Sequence, residues 1–217
     1  DKMAKKKLGE LDLANGSDVK RVRAVRMSPE RRRVQLLECA ILVFAEKGIL
    51  NATHADVAKF AAVANPTVFH YFPTIEKLQE EVIREVRRFL LDGFVLSRAH
   101  LNASASERIE DMLSSFAQSI SSNPEYITIW LEWSGLTRGF LWDMYLEFYR
   151  DTVKALRSLI LEGRKDNSIS ERIDASDGAR VVLSMAHAIA HMHFSGSSAK
   201  TMKKTVHSLV SIYIAPE

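Results

Sequence analysis

Apolar positions along the chain recur at helical spacing and almost never alternate. From Ser28 onward, Val34, Leu37, Ile41 and Phe44 return every three or four residues, the period of one helix face. Ser28-Pro29-Glu30 reads as the start of that helix: Ser as N-cap, Pro at the first helical position, an acid in the first turn. Gly48 reads as its stop. Two short helices are predicted at about 54–61 and 65–71, joined by a tight turn, with Asn65-Pro66 as the start signal of the second. Pro73-Thr74 breaks the chain and restarts it, with Thr74 as cap of a helix running to about 99. Further helices are predicted at about 105–121, 124–135, 138–163, 174–194 and 199–214. Joints such as Asn102–Ser106, Ser121–Asn123 and Asp166–Ser170 divide them. No stretch alternates at period two between turn signals, and no internal repeat is visible. The fold class expected is all-α, with a small N-terminal three-helix unit followed by a larger helical bundle.

Composition narrows this picture only slightly. The chain has 217 residues, enough for one or two domains with a sizeable core. Its 47% hydrophobic and 26% charged content is ordinary for a water-soluble globular protein. No apolar run reaches the roughly 18 residues that span a bilayer, and the charged N-terminus lacks a signal-peptide core. The expectation is a cytoplasmic protein with no membrane partner. Cys39, the single cysteine, lies in the apolar run LLECAILVF and is expected to be a buried small hydrophobe.

Charge adds a sharper feature. Residues 1–33 carry 11 Lys/Arg against 5 Asp/Glu, whereas the remaining 184 carry 19 against 22. Residues 1–27 show no trusted helical periodicity and read as a flexible basic arm. A basic arm on a mildly acidic body suits a local polyanion contact, and equally a solvated tail.

The informative stretch is Arg33 to Lys77. Two short helices can cross closely enough to offer the second to a DNA major groove only if small and apolar residues fill their contact. Val57, Ala58, Val63, Val68 and Phe72 supply that face. Asn65, Thr67, His70 and Tyr71 are polar or amphipathic, as phosphate and base-edge contacts require. Three packed helices of an ordinary bundle remain the plainer alternative.

The segment FAEKGILNATHADVAKFAAVANPTVFHYFPTIEKL resembles the DNA-binding domain of the TetR family of transcription regulators. The likeness rests on Phe44, Ala45, Gly48, Val57, Ala58, Ala61, Val63, Thr67, Val68, Phe69, Tyr71, Phe72, Lys77 and Leu78. Within that family it is most similar to the quorum-sensing master regulators of vibrios (the LuxR/HapR group), through His54–Ala58, Pro66–Thr74, Ser28-Pro29 and IWLEWSGLTR at 129–138. The resemblance covers roughly residues 20–165 and fades to a matching helical pattern from 174 to 214. It implies a flexible arm at 1–27, a helix-turn-helix DNA-binding domain at 28–73 and a helical ligand-sensing and dimerisation domain at 74–217. It implies a homodimer on a near-palindromic double-stranded operator, a small-molecule effector, and no cofactor or enzymatic activity. The expected DNA contacts are Arg21, Arg23, Arg26, Thr53, His54, Asn65, Pro66, Thr67, His70, Tyr71 and Lys77, with the arginines in the minor groove. Two departures stand out: the family's turn glycine is Ala62, and its usual cap serine is Ala64. Asn65 is then expected to take over capping, with Pro66 locking the first turn.

Met112, Phe116, Trp130, Trp133, Met144 and Met185 are candidate liners of an apolar ligand pocket, although such residues at helical spacing also build plain cores. Val182, Ile189, Val206, Val210 and Tyr213 give the last two helices long apolar faces, the expected dimer interface. His187 and His191 share a helix face, and with His193 they frame a rival reading, an all-helical metal-dependent hydrolase. No nucleophile elbow, phosphate loop or zinc-protease motif is present. A helical adaptor that binds only protein is a second rival.

Overall fold

A computed structural model describes residues 27–98 and 102–216. The expected arm contacts Arg21, Arg23 and Arg26 lie outside the described residues. Among the described residues every regular element is helical, with no strand.

Helix α1 (Pro29–Lys47) starts as the sequence predicts: the Ser28 hydroxyl accepts the Arg31 N–H at 3.3 Å and Pro29 opens the first turn. It stops at Gly48, whose φ of +91° is strained for any residue with a Cβ. Helix α2 (His54–Phe60) begins with a capping box. The Thr53 hydroxyl accepts the Asp56 N–H, and the Asp56 carboxylate accepts the Thr53 N–H at 3.0 Å. The same carboxylate pairs with Lys47. Those hydrogen bonds, from Lys47 first and then Thr53, hold the Asp56 carboxyl at about 2.

Helix α3 (Asn65–Tyr71) follows a four-residue turn. The turn closes as a Schellman motif, with the Val63 N–H on the Ala58 carbonyl and the Ala62 N–H on that of Lys59. That motif needs a left-handed residue, and Ala62 fills the role at φ +53°. The expectation that Asn65 caps α3 is corrected. The N-cap is Ala64, which has no side-chain acceptor to offer, and Asn65 is already the first helical residue.

Helix α4 (Ile75–Leu90) is shorter than expected. Past Leu90 the chain widens into a π-helical turn (Leu91–Val95) and then a 3₁₀ turn (Leu96–Arg98). The Gly93 carbonyl accepts from the Ser97 hydroxyl and the Arg98 guanidinium at 2.8 and 2.7 Å. The bundle continues with α5 (Ala105–Ile120), α6 (Pro124–Gly135), α7 (Gly139–Lys165), α8 (Ala175–Phe194) and α9 (Ala199–Leu209), the last extended by a π-helical turn (Val210–Ile214). Cap residues written in the sequence start several of them: Ser104 for α5, Asp174 for α8 and Ser198 for α9.

Helix α1 packs on α2, α4 and α6, while α7 and α8 run against each other and α5 lies against both. One hydrophobic core therefore passes from the small three-helix head into the larger bundle. Cys39 is only partly buried at its edge, where burial and the neighbouring Glu38 push its thiol above the ordinary value.

The left-handed alanine generates a prediction. A residue with a Cβ at that backbone costs about 1–2 kcal/mol, partly offset by the extra unfolded-state freedom of glycine. Ala62→Gly should therefore raise stability by about 0.5–1 kcal/mol, seen as a higher thermal midpoint. An unchanged or lower midpoint contradicts the strain assigned to this turn.

Candidate nucleic-acid interface and internal cavity

The head presents α3 outward. Val68 is its one fully buried residue, and Phe72 just beyond is buried as well. Asn65, Pro66, Phe69 and His70 are exposed; Thr67 and Tyr71 are half-buried on the flanks. His70 and Tyr71 meet edge to face at 5.0 Å. This places Asn65, Pro66, Thr67, His70 and Tyr71 together on one surface. Thr53 is also exposed, although its hydroxyl is engaged in capping α2. Lys77 stands in the first turn of α4, its ammonium 2.9 Å from Glu80 and 3.5 Å from Glu81. Exposed pairs of this kind are worth little and exchange readily for a stronger anion.

His54 is not on that surface. Its ring is 6% exposed, Nε2 lies 2.7 Å from the Phe72 carbonyl, and its face stacks on Phe69. At the first position of α2 the sequence pattern leaves either direction open; the Phe72 carbonyl and the Phe69 ring hold the imidazole inward.

The joint between head and bundle is made at Ile49. Both carboxylate oxygens of Glu132, on α6, accept the Ile49 N–H, at 2.9 and 3.0 Å. The Ile49 carbonyl accepts from the Gln79 amide of α4 at 2.9 Å. A Cβ on Gly48 would meet a Glu132 oxygen at 3.1 Å, so the glycine also lets the carboxylate approach. Neither Glu132 nor Gln79 was singled out by sequence for this role.

Inside the bundle lies a cavity of about 40 Å³. Met112, Phe116 and Trp130 line it, together with Leu90, Phe94, Phe148, Thr152 and Val182. Three expected liners do not. Trp133 packs on Tyr145 and Phe148 and donates its Nε1–H to the Leu141 carbonyl at 2.7 Å, bracing α6 on α7. Met144 is half-buried elsewhere on α7, and Met185 lies under the outer α8–α9 face. Two liners, Trp130 and Thr152, are buried with Nε1 and Oγ1 lacking any partner in the fold. The Trp130 ring lies 4.0 Å from that of His187, whose imidazole burial keeps below its ordinary value and whose Nδ1 meets the Leu183 carbonyl.

The expected dimer residues divide differently. Val182, Ile189, Val206 and Val210 are buried within the chain and cannot touch a partner. Helices α8 and α9 are apolar on two faces, and periodicity selected the inner one. Tyr213 does reach the outer groove, with Val181, Ser184, Ala188, Leu209 and Ile212. His187, His191 and His193 do not converge: one meets Trp130, one is exposed, one packs edge-on to Phe194. Among the described residues no three His, Cys, Asp or Glu side chains are grouped as metal ligands would be. None of the described helices is long and apolar enough to cross a membrane.

Comparison with known proteins adds to this geometry. Residues 36–82 match the bacterial regulatory proteins of the tetR family. The transcriptional regulator LuxR of Vibrio harveyi is 29% identical over 87% of this chain and 90% of its own. The chain therefore carries a tetR-family segment at residues 36–82 and is similar to a transcriptional regulator over most of its length. Solved structures of such regulators share its fold at low identity. A Saccharomonospora viridis regulator in complex with choline is 19% identical with a TM-score of 0.75, over 87% of this chain and all of the other. The ketosteroid regulator KstR2 of Mycobacterium tuberculosis is 19% identical with a TM-score of 0.70, over 88% and 98%. These relatives are transcriptional regulators, not enzymes.

The Ile49 joint can be tested directly. Glu132→Ala leaves the N–H of a fully buried residue without an acceptor, at a cost of about 1–3 kcal/mol. Glu132→Gln keeps an acceptor oxygen and should recover most of that loss. Urea unfolding followed by circular dichroism measures both. Equal stability of Glu132→Ala and the parent would show that the joint carries no energy.

Proposed function

We propose that the chain binds a near-palindromic DNA operator as a homodimer and that a small, mainly apolar effector in the bundle cavity modulates binding. The observation that carries the DNA reading is the division of α3 into a buried back, Val68 with Phe72 beyond it, and an exposed, largely polar front. Asn65, Pro66, Thr67, His70 and Tyr71 meet the major groove, and Lys77 meets a phosphate after releasing Glu80. Arg21, Arg23 and Arg26 enter the adjacent minor groove, whose narrow A·T-rich stretches attract arginine. The similarity to LuxR of Vibrio harveyi supports a place in quorum-sensing control. The effector reading rests on the aromatic cavity and on the unpartnered atoms of Trp130 and Thr152. An indole N–H only donates, so it favours a ligand with one hydrogen-bond acceptor on an apolar body. A cavity of about 40 Å³ holds little more than water, so a larger effector must part its walls.

The partner copy sits on the outer face of α8 and α9, where Ile212 is 85% exposed above the groove. Ile212→Glu should give folded monomers in sedimentation, whereas Val210→Glu, aimed into the core, should lose helical structure first. An Ile212→Glu protein that stays dimeric removes this face from the proposal.

Selection from a random duplex library tests the function itself. It should return a two-fold-symmetric site whose half-sites lie about one helical turn, roughly 34 Å, apart. Its affinity should fall linearly in log–log form with salt, and the slope should shrink by about one for Lys77→Ala. Failure to enrich any duplex, or binding insensitive to salt, would overturn the operator reading.

A further inference from the structure

Phe69 is an anomaly on the face just described. It is an apolar ring, 45% exposed, on an otherwise largely polar surface of a seven-residue helix. Its position is not loose. The His54 ring lies parallel to it, with an interplanar angle of 8° and centroids 4.1 Å apart. His54 is itself fixed from behind, its Nε2 donating to the Phe72 carbonyl at 2.7 Å. One face of the phenyl ring is therefore backed by a buried imidazole, while part of the ring remains open to solvent. Asn65 stands one turn earlier on the same side of α3, so whatever Asn65 reaches, Phe69 reaches beside it.

A phenyl ring has no donor, acceptor or charge. It can neither hydrogen-bond a base edge nor hold a phosphate. In the major groove the apolar group a base pair offers is the C5-methyl of thymine. We propose that Phe69 reads thymine methyl groups in the operator, and that His54 is a positioning residue that sets the plane and depth of the Phe69 ring. The proposal rests on the DNA reading above. It also gives His54 a part in DNA recognition without contact, since its ring is withdrawn behind the one that touches.

The experiment uses the operator recovered by selection, synthesised once with thymidine and once with deoxyuridine throughout. The exchange removes every methyl and leaves charge and Watson–Crick groups in place. The full-length protein should bind the deoxyuridine duplex more weakly, by about fourfold for each methyl contacted, the factor that one buried methyl group carries. Phe69→Ala should bind the thymidine duplex more weakly and lose the difference between the two duplexes. Phe69→Leu, still apolar, should retain part of it. His54→Gln keeps an amide donor for the Phe72 carbonyl but removes the stacked ring. It should narrow the thymidine-to-deoxyuridine ratio, a readout that a merely structural role would not move because it would weaken both duplexes alike. Equal binding of both duplexes by the parent protein overturns the proposal. So does a methyl preference that survives in Phe69→Ala, since another residue then reads the methyls. A protein that binds no duplex fails earlier, at the operator reading, and takes this assignment with it.

Discussion

Everything the head can do depends on how Ile49 is held. Its residue is fully buried, so its two peptide groups must be satisfied by the protein itself. The N–H goes to Glu132 of α6 and the C=O to Gln79 of α4, both in the part of the chain that follows the head. One residue after α1 is thus clamped from two helices, and α1 in turn carries α2 and, through it, α3. The Glu132 bond is charge-assisted, a kind about twice as strong as a neutral one, and its loss would strand a buried donor. The head is then not a bead on a string. Its orientation is set by α4 and α6.

Helix α6 has a second duty. Trp130 faces the cavity, Glu132 faces the head and Trp133 ties the helix to α7 through the Leu141 carbonyl. Three neighbouring positions on one helix therefore point to three different parts of the molecule. The π-helical turn after α4 adds Phe94 and Val95 to the same cavity wall, while the start of α4 holds Gln79 against Ile49. Under the effector reading, a ligand that parts this wall works against the two helices that clamp the head. It alters DNA affinity only as far as it binds one placement of those helices better than another.

How much of this the sequence disclosed follows from the range of each interaction. Local signals read well: Ser28-Pro29, Gly48, Thr74 and the start of α3 at Asn65 each depend on residues a few positions apart. Long-range choices did not. Glu132 meets Ile49 across 83 positions, and no periodicity marks it. Spacing alone offers Val182, Ile189, Val206 and Val210 as a partner's face, because α8 and α9 have two apolar sides and periodicity does not distinguish the one filled from within. Trp133 and Met185 pass for pocket liners on the same ground: aromatic and sulfur side chains announce burial, not what they are buried against. His54 looked like a surface contact until Phe72 and Phe69 supplied a place for its ring.

The short helices of the head make the last point. Seven residues cannot sustain a helix alone, because the nucleation cost is spread over too few bonds. Ala62 in a left-handed turn and Ala64 without a capping side chain weaken the local case further. What holds α3 must come from behind it, and Phe72 supplies much of it. Its ring is buried under the Arg33 guanidinium, 5.3 Å above the centroid, and Arg33 is itself paired with Glu81 of α4 at 2.8 Å. Its carbonyl accepts a hydrogen bond from the His54 Nε2–H. Because stability is gathered at the back of the helix, the front need contribute none of it. Under the operator reading, Asn65, His70 and the open part of the Phe69 ring are thereby free to be chosen for what they would touch in a groove rather than for what they hold in the fold.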